Sequence, residues 1–316
     1  NMTVRHLFVA DAIGPMNIHQ DSTFGLMLEC QRRGHSVYHC DTDGLLGLTS
    51  GAKALCREVN VREVQGDHYS VGDPDHLPLG AFDAIWMRKD PPFDMNYIAA
   101  TYILDGAPDT TCVVNRPSSL RDWNEKAAVL HFPELAPRCL LTRNMAEIKV
   151  FQRDVGGSVV LKPLSFSGGA GIVALHPGDL NTNALLEIST RLGQEFVLVQ
   201  EYMPEVVQGD KRVILVNGEI GGALLRVPPA DDLRGNIHVG ATTEYVPLDA
   251  AETAVCEALR LPLRDAGHIF VGIDLIGGKL TEINVTSPTG IREILGAGGP
   301  DLAAALVDSA LASGST

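Results

Sequence analysis

The sequence predicts an α/β protein whose N-terminal parallel sheet is followed by two further blocks. Up to about residue 120, apolar β-type runs alternate with helical stretches, a pattern typical of a parallel sheet covered by helices. From Arg121 the pattern changes to DWNEKAAVLHF, which we interpret as a capped helix, and Pro133 and Pro137 then mark a break. A third block begins after Tyr202-Met203-Pro204. The expected divisions are residues 1–120, 121–202 and 203–316.

Four strands and two helices are predicted in the N-terminal block. The strands cover the apolar runs Val4–Ala10, Ser36–Cys40, Phe82–Met87 and Cys112–Asn115. The stretch FGLMLECQRRGH has apolar residues at helical spacing and is expected to end at Gly34, and a second helix covers Asn96–Asp105.

Three loops of this block follow predicted strands. Ligands of parallel sheets bind beyond the carboxyl ends of the strands. The loops at such ends are Asp11–Asp21, Arg88–Asp90 and Asn115–Arg116, and we expect them to form the walls of a substrate site. The alternative for Arg88 and for Arg116 is a surface ion pair.

The second block contains a glycine-rich loop between two predicted strands, Ser158–Lys162 and Ile172–Leu175. The loop, SFSGGAG from Ser165 to Gly171, would let backbone N–H groups approach phosphate oxygens. It is neither a Walker A motif nor a dinucleotide-binding fingerprint, and a plain hairpin turn is the alternative. Lys162 at the strand end favours the phosphate interpretation. A further strand is predicted at Phe196–Glu201.

The third block is predicted to contain strands and a long loop. The strands Val213–Val216 and Gly222–Val227 flank a turn at Gly218, and the second carries Arg226. The loop Pro228–Glu244 is long enough to suggest a lid that excludes water, with disorder as the alternative. Helices are expected at Ala250–Leu263 and Asp301–Ala312.

A predicted hairpin joins the β-type runs Ile269–Ile276 and Lys279–Asn284 through two glycines. A two-residue loop would set Ile273 opposite Glu282, whereas a three-residue Gly-Gly-Lys loop sets Asp274 opposite Glu282. We prefer the second register, because it places the apolar side chains on one face and the polar ones on the other.

The polar face of this hairpin carries Asp274, Glu282 and Asn284. Carboxylate and amide oxygens are the ligands that Mg²⁺ prefers, usually together with water and nucleotide phosphates. The register therefore predicts a Mg²⁺ site. The alternative is a hairpin with a solvated acidic edge.

Composition restricts the class of protein. The chain has 316 residues, 45% of them hydrophobic, and a formal net charge of −14, so we expect no nucleic-acid partner. No apolar run approaches the roughly 20 residues of a membrane span, and we expect no membrane association and a cytoplasmic location. The six cysteines show no paired spacing and are expected to be reduced thiols.

Several ordered tracts resemble the bacterial glutathione synthetases of the ATP-grasp superfamily. These tracts are QRRGH, MRKDPPFD, NRPSSLRDWNEK, GDKRVILVNGE, RGN and FVGIDLIGGKLTEINVTSPTGIRE, together with LKPL followed by GGAGI. The resemblance implies an N-terminal α/β substrate domain and then an ATP-grasp fold of two α+β domains, a lid and a catalytic domain. It also implies ATP and Mg²⁺ as cofactors.

The resemblance implies a role for each of a set of residues. Those near ATP would be Lys126, Lys162, Gly168, Gly169, Gln200, Glu201, Tyr202, Met203 and Asp210, with Asp210 beside the ribose. Asp274, Glu282 and Asn284 would hold Mg²⁺. Arg212 and Arg226 would face the transferring phosphoryl group. Arg88, Arg234, Ser287 and Thr289 would bind the substrate.

The implied reaction joins small amino-acid or peptide substrates. A carboxylate attacks ATP to give an acyl phosphate, and an amine then displaces phosphate to form an amide, as in glutathione synthesis from γ-glutamylcysteine and glycine. The resemblance also implies a homotetramer. A nicotinamide oxidoreductase is disfavoured, because no GxGxxG follows the first strand.

Departures from the family pattern lie where the substrate would bind. They are at His19, Gln20, Ser165, Phe166, Ala241, Thr242 and Gly290. They leave open a related ligase that makes a different amide or closes a ring, and a catalytically inactive nucleotide sensor is a further alternative.

Overall fold

The first sheet occupies the N-terminal part of the chain. The computed structural model describes residues 3–232, 234 and 242–314. Seven strands form this sheet: β1 (Arg5–Val9), β2 (Ser36–Cys40), β3 (Leu45–Leu48), β4 (Gly51–Val61), β5 (Tyr69–Pro78), β6 (Ala84–Met87) and β7 (Cys112–Val114). Three helices accompany it: α1 (Ser22–Arg32), α2 (Met95–Leu104) and α3 (Pro117–Asp122).

The strands of this sheet follow the order β3-β4-β2-β1-β6-β7, with β5 paired to β4. β2, β1, β6 and β7 are parallel to one another, which confirms the predicted parallel sheet, and β2 is antiparallel to β4 on its other side. Leu7, Phe8 and Val9 are completely buried, because helices cover both faces of a parallel sheet. Pairing of β3, β4 and β5 is antiparallel, and we did not predict these strands.

The predicted helix DWNEKAAVLHF is wrong. The helix α3 ends at Asp122, and only Ala127–His131 then forms a short 3₁₀ helix. Asn124 interrupts the helix, because its side-chain oxygen accepts the backbone N–H groups of Lys126 and Ala127, each at 3.1 Å. Such local side-chain bonds compete with helical hydrogen bonds.

The second sheet is small and antiparallel. Its strands are β8 (Cys139–Thr142), β9 (Val159–Pro163), β10 (Val173–Leu175) and β11 (Val197–Glu201), in the order β10-β9-β11-β8. The helices α4 (Met145–Val155) and α5 (Thr182–Ser189) cover one face. The core between them consists of Ile148, Val159, Leu161, Leu175, Leu186, Val197 and Val199.

The third sheet is also antiparallel. Its strands are β12 (Asp210–Val216), β13 (Glu219–Val227), β14 (Thr242–Val246), β15 (Phe270–Ile276) and β16 (Lys279–Asn284), in the order β14-β13-β12-β15-β16. The helices are α6 (Ala250–Asp265), α7 (Ile291–Gly296) and α8 (Leu302–Ser313). Buried side chains of the first and third sheets belong to shared clusters, so these two sheets have a continuous core. No helix among the described residues is both long and apolar enough to cross a bilayer.

The register predicted for the β15–β16 hairpin is confirmed at its polar face. Asp274 lies opposite Glu282, and Ile273 lies opposite Ile283. The predicted three-residue loop is wrong, because Ile276 pairs with Lys279 and the loop is the two residues Gly277-Gly278, both at positive φ. A β-bulge beyond Asp274 adds one residue to β16 and restores the register.

Asn115 connects the first sheet to the third. Its side-chain nitrogen donates to the carbonyl oxygens of Phe270 (2.9 Å) and Val285 (2.8 Å), and its oxygen accepts the N–H of Phe270 at 2.9 Å. The side chain is 2% exposed, so these groups have no access to bulk water.

We expect Asn115→Ala to lower the free energy of unfolding by roughly 2 to 4 kcal/mol, because buried backbone groups lose their partners. Chemical denaturation measures this loss. The matched control Asn183→Ala removes an exposed amide in the first turn of α5 and should change stability by less than about 0.5 kcal/mol. Equal effects of the two substitutions would contradict the proposed link.

Candidate active site

A cleft lies between the second and third sheets. It is lined by the glycine loop after β9, by the end of β11 and by the polar face of β15 and β16. The predicted nucleotide residues that line it are Lys162, Gly168, Gly169, Gln200, Glu201, Tyr202, Met203 and Asp210. The predicted metal ligands Asp274, Glu282 and Asn284 line the same cleft.

Two lysines bring positive charge to this cleft. The Lys162 Nζ donates to Gln200 Oε1 at 2.8 Å, across the neighbouring strands β9 and β11. Burial lowers the pKa of Lys162, while the nearby Glu282 opposes that shift. Lys126 is 4% exposed; its Nζ donates to the carbonyl of Phe166 in the glycine loop and lies 3.3 Å from Glu282 Oε1. Such an arrangement is suited to an anionic ligand.

The glycine loop requires its glycines. Gly168, Gly169 and Gly171 all adopt positive φ. A Cβ at Gly169 would lie 2.9 Å from the Cδ of Arg234, whose Nη1 donates to the Gly169 carbonyl at 3.3 Å. Glycine is therefore required at position 169, because any side chain there would collide with Arg234.

Asp274 is at the centre of the acidic hairpin. Its carboxylate accepts from Arg212 Nε at 2.5 Å and from Arg212 Nη2 at 3.1 Å, and it lies 3.3 Å from Arg226 Nη2. Burial alone would raise the pKa of Asp274, but the two arginines outweigh burial and hold it below its usual range. Glu282 lies directly opposite Asp274 on the neighbouring strand, so the site contains two adjacent acidic residues.

Arg226 is held from its other side by Asp210. The two residues are directly opposite each other on β12 and β13, and they form a bidentate pair with N···O distances of 2.8 and 2.6 Å. Both are less than 10% exposed. Burial alone would lower the pKa of Arg226, but Asp274 and Asp210 raise it, so its charge is permanent. Asp210 also lines the cleft, so its predicted position beside a ribose stays a prediction.

A second cavity adjoins the carboxyl ends of the first sheet. The predicted substrate residues Arg88, Ser287 and Thr289 line it, and so do most residues of the Asp11–Asp21 loop. It shares four residues with the nucleotide cleft, namely Gly168, Arg212, Arg226 and Asn284. The two arginines therefore stand where the two cavities meet.

Arg88 follows β6 and points into this second cavity. Its Nε donates to Thr23 Oγ1 at 2.9 Å, its Nη2 donates to the Pro288 carbonyl at 2.8 Å, and its guanidinium lies over the Phe270 ring. The side chain is 5% exposed, so the alternative of a surface ion pair is wrong.

Two family domains match the chain over almost its whole length. The N-terminal domain of prokaryotic glutathione synthetase matches residues 4–121, and the ATP-grasp domain of prokaryotic glutathione synthetase matches residues 125–298. The chain belongs to the prokaryotic glutathione synthetase family. Membership of an ATP-grasp family implies use of ATP.

Relatives support this assignment. A glutathione synthetase of Bradyrhizobium diazoefficiens is 45% identical over 299 residues, covering 95% of both chains. One of Synechococcus elongatus is 45% identical over 297 residues, covering 91% of this chain and 92% of the relative. One of Vibrio cholerae is 43% identical over 288 residues, covering 90% of both chains.

Solved structures share the fold at low identity. The D-cycloserine synthetase DcsG superposes with a TM-score of 0.69 at 13% identity, covering 98% of this chain and 99% of that one. The ATP-grasp ligase PsnB, complexed with minimal precursor, Mg and ADP, superposes with a TM-score of 0.63 at 19% identity, covering 99% and 98%. These similarities establish the ATP-grasp fold.

Arg234 and the loop Asn115–Arg116, which we expected at the substrate site, do not line the second cavity. Arg234 lines the nucleotide cleft, where it pairs with Asp232 at 2.6 Å. The loop Asn115–Arg116 does not line either cavity: Asn115 bonds to backbone, and Arg116 Nη1 donates to the Asp265 carbonyl at 2.9 Å. We expected Arg116 in a substrate wall or a surface ion pair.

The departures from the family pattern are only partly within the second cavity. Gln20 lines it, whereas His19 is exposed and is not among its lining residues. Gly290 precedes α7 at a φ of 129°, and Thr242 begins β14. Ala241 lies outside the described residues, as do seven further residues of the predicted lid; Thr242 to Glu244 of that lid belong to β14.

Sequence reasoning missed several residues that the second cavity brings together. Glu125 is 8% exposed, and its carboxylate accepts the backbone N–H groups of Val285 (2.6 Å) and Thr286 (3.1 Å) and the hydroxyl of Thr286 (3.0 Å). It therefore fixes the segment that follows the β15–β16 hairpin. Ser22 and Glu293 also line the cavity. The sequence offered one indication of this role, because Glu125 is adjacent to Lys126, a predicted ATP-binding residue.

Proposed function

We propose that this chain is an ATP-dependent carboxylate–amine ligase that joins γ-glutamylcysteine and glycine into glutathione, releasing ADP and phosphate. The observation that carries the proposal is the meeting of two cavities at Arg212 and Arg226. One cavity has Lys162 and the glycines suited to a nucleotide, and the other has the buried cation of Arg88 suited to a carboxylate. The names of the relatives supply the substrates.

The nucleotide is assigned to the cleft between the second and third sheets. Lys126, Lys162 and the loop at Gly168 and Gly169 would contact its phosphates. The adenine would lie against the end of β11 and the residues after it, which are Gln200, Glu201, Tyr202 and Met203. In this assignment residues 1–120 are the substrate domain, 121–202 the lid domain and 203–316 the catalytic domain.

The residues of the acidic hairpin fit Mg²⁺. Asp274 and Glu282 lie opposite each other on β15 and β16, and neighbouring carboxylates repel each other unless a proton or a cation lies between them. The Asn284 side-chain nitrogen donates to the Gly272 carbonyl at 2.8 Å, which leaves its oxygen available as a ligand. Mg²⁺ held by these three residues would neutralise phosphate charge.

The arginines supply the remaining electrostatic stabilisation. In the first step a carboxylate oxygen of the acyl substrate bonds to the γ-phosphorus as the bond to the β-phosphate oxygen breaks. In the second step the amine nitrogen bonds to the acyl carbon, the carbon–oxygen bond to phosphate breaks and a proton is lost. Arg212 and Arg226 lie where the two cavities meet, so their fixed charges would offset the negative charge that develops on the phosphoryl oxygens.

A related ligase with another amide product is the second candidate. Gln20 lines the substrate cavity where the family pattern has a lysine, which removes a partner for a substrate carboxylate. The catalytically inactive nucleotide sensor is disfavoured, because Lys162, Glu282 and Asn284 are all present in the cleft. We further propose cytoplasmic location and homotetrameric assembly, which rest on the family resemblance.

Glu282→Gln should lower turnover at least about 100-fold without unfolding the protein, because one anionic metal ligand is lost. ADP release at ordinary Mg²⁺ concentration measures the effect, and circular dichroism checks the fold. The matched control Glu219→Gln alters an exposed residue that pairs with Arg264 and should leave turnover unchanged. Undiminished activity of Glu282→Gln would refute the metal site.

Arg226→Ala should lower kcat by roughly 10²- to 10³-fold and raise the KM for ATP much less, because its charge is needed most in the transition state. Asp210→Asn should reproduce part of this kcat defect, since Asp210 holds the guanidinium in place. The two defects should not add in the double variant. An effect of Arg226→Ala confined to KM would instead indicate ground-state binding of nucleotide.

The substrate assignment predicts a kcat/KM for γ-glutamylcysteine of about 10⁴ M⁻¹s⁻¹ or above with saturating glycine and ATP, a value usual for working enzymes. Coupled measurement of ADP release decides it. A value orders of magnitude lower, together with faster turnover of another acid and amine, would favour the related ligase.

A further inference from the structure

Two of the three residues assigned to Mg²⁺ lie on an edge strand. Glu282 and Asn284 belong to β16, which pairs with β15 on one side and, among the described strands, with none on the other. The backbone of an edge strand lacks the second neighbour that holds a central strand in place. The positions of these two ligands therefore depend on what contacts the outer edge of β16.

Glu125 contacts this outer edge on both sides of Asn284. Its carbonyl oxygen accepts the backbone N–H of Ile283 at 3.0 Å. Its carboxylate accepts the N–H groups of Val285 at 2.6 Å and of Thr286 at 3.1 Å. One residue thus holds the chain immediately before and immediately after a predicted metal ligand.

Both carboxylate oxygens of Glu125 are used for such bonds. One oxygen accepts the two backbone N–H groups, and the other accepts the Thr286 hydroxyl at 3.0 Å. The residue is 8% exposed. Hydrogen bonds to a carboxylate are stronger than those between neutral groups, so they hold the segment after β16 firmly. Although Glu125 lines the substrate cavity, a carboxylate engaged in this way is poorly placed to act as a general base.

The two neighbours of this glutamate contact the glycine loop and the residue before it. Asn124 Nδ2 donates to the Leu164 carbonyl at 3.1 Å, and Lys126 Nζ donates to the Phe166 carbonyl. Lys126 Nζ also lies 3.3 Å from Glu282 Oε1. Three consecutive residues therefore connect the loop assigned to the nucleotide phosphates with the strand assigned to the metal.

We propose that Glu125 is a positioning residue for the Mg²⁺ site, which holds the end of β16 so that Glu282 and Asn284 stay beside Asp274. The inference rests on the proposed function, because it concerns the metal that this function requires. Residues that orient metal ligands without touching the metal commonly determine its affinity, and their loss costs roughly 10- to 100-fold in affinity or activity.

The test measures the affinity of the protein for a non-hydrolysable ATP analogue by calorimetry, with and without Mg²⁺. Glu125→Ala should weaken binding about 10-fold or more in the presence of Mg²⁺ and less than about twofold in its absence. The same variant should raise the Mg²⁺ concentration that gives half-maximal ADP release by a similar factor. The calorimetric measurement requires no acyl substrate and no turnover.

Two further substitutions separate the position of the side chain from its charge. Glu125→Gln keeps the length, and its amide oxygen can accept both backbone N–H groups while the Thr286 hydroxyl turns to accept from the amide nitrogen. It should stay within about threefold of the wild type in both measurements. Glu125→Asp keeps the charge but is one methylene shorter, and it should reproduce most of the defect of Glu125→Ala. If Glu125→Ala does not fold, the contrast between Gln and Asp decides the proposal.

Glu252→Ala is the matched control for the loss of a buried glutamate. Glu252 is 7% exposed, pairs with Lys211, takes part in the capping box of α6 and lines neither cavity. Its replacement should lower the denaturation midpoint and leave the Mg²⁺ dependence of nucleotide binding unchanged. An equally unchanged Mg²⁺ dependence in Glu125→Ala would overturn the proposal, as would a defect in Glu125→Gln as large as that in Glu125→Ala.

The binding measurement also separates this proposal from the proposed function. A Mg²⁺-specific defect in Glu125→Ala, found when the wild-type protein releases no ADP with γ-glutamylcysteine and glycine, would refute glutathione synthesis and keep the positioning role. Normal glutathione synthesis without a Mg²⁺-specific defect in Glu125→Ala would refute the positioning role and keep the ligase.

Discussion

Buried ion pairs between two arginines and two aspartates organise the active site. Asp274 contacts both Arg212 and Arg226, and Asp210 holds Arg226 from the opposite side. Charged groups are retained in a protein interior only when they are paired, so each of the four fixes the position of the others. Both arginines therefore already have carboxylate partners, whereas Lys162 in the same cleft donates to the uncharged Gln200.

The polar face of the hairpin could be predicted from the sequence because one physical constraint decides it. Pairing Asp274 with Glu282 puts Ile273 and Ile283 on the buried face, and any slip by one residue would reverse the faces. The loop could not be predicted in the same way. A two-residue turn plus a bulge gives the same register as a three-residue turn, and the sequence pattern does not distinguish them.

Other features lay beyond the sequence pattern for identifiable reasons. The strand β5 reads YSVGDPDHLP, and most of its residues are exposed, so it lacks the alternation that marks a half-buried strand. The helix expected after Arg121 does not form, because the Asn124 side chain accepts backbone N–H groups that would otherwise bond within a helix. Ser22 and Glu293 line one cavity only in the folded chain, since they are far apart in sequence. By contrast, local sequence patterns predicted the strand ends at Lys162 and Glu201, and the family resemblance assigned these residues to the nucleotide.

The separate core of the second sheet has a consequence for movement. Val159 and Leu161 of β9 pack into that small core, whereas the alternate residues Val160 and Lys162 line the nucleotide cleft. The first and third sheets instead share continuous clusters, in which Asn115 ties their backbones together. Rotating the second layer against the rest would leave its small core intact and would disturb mainly the contact that Leu198 and Leu141 make with the core of the first and third sheets. The face of the four-stranded sheet that lines the cleft is also the face that makes this contact, so the width of the cleft and the packing of Leu198 would change together.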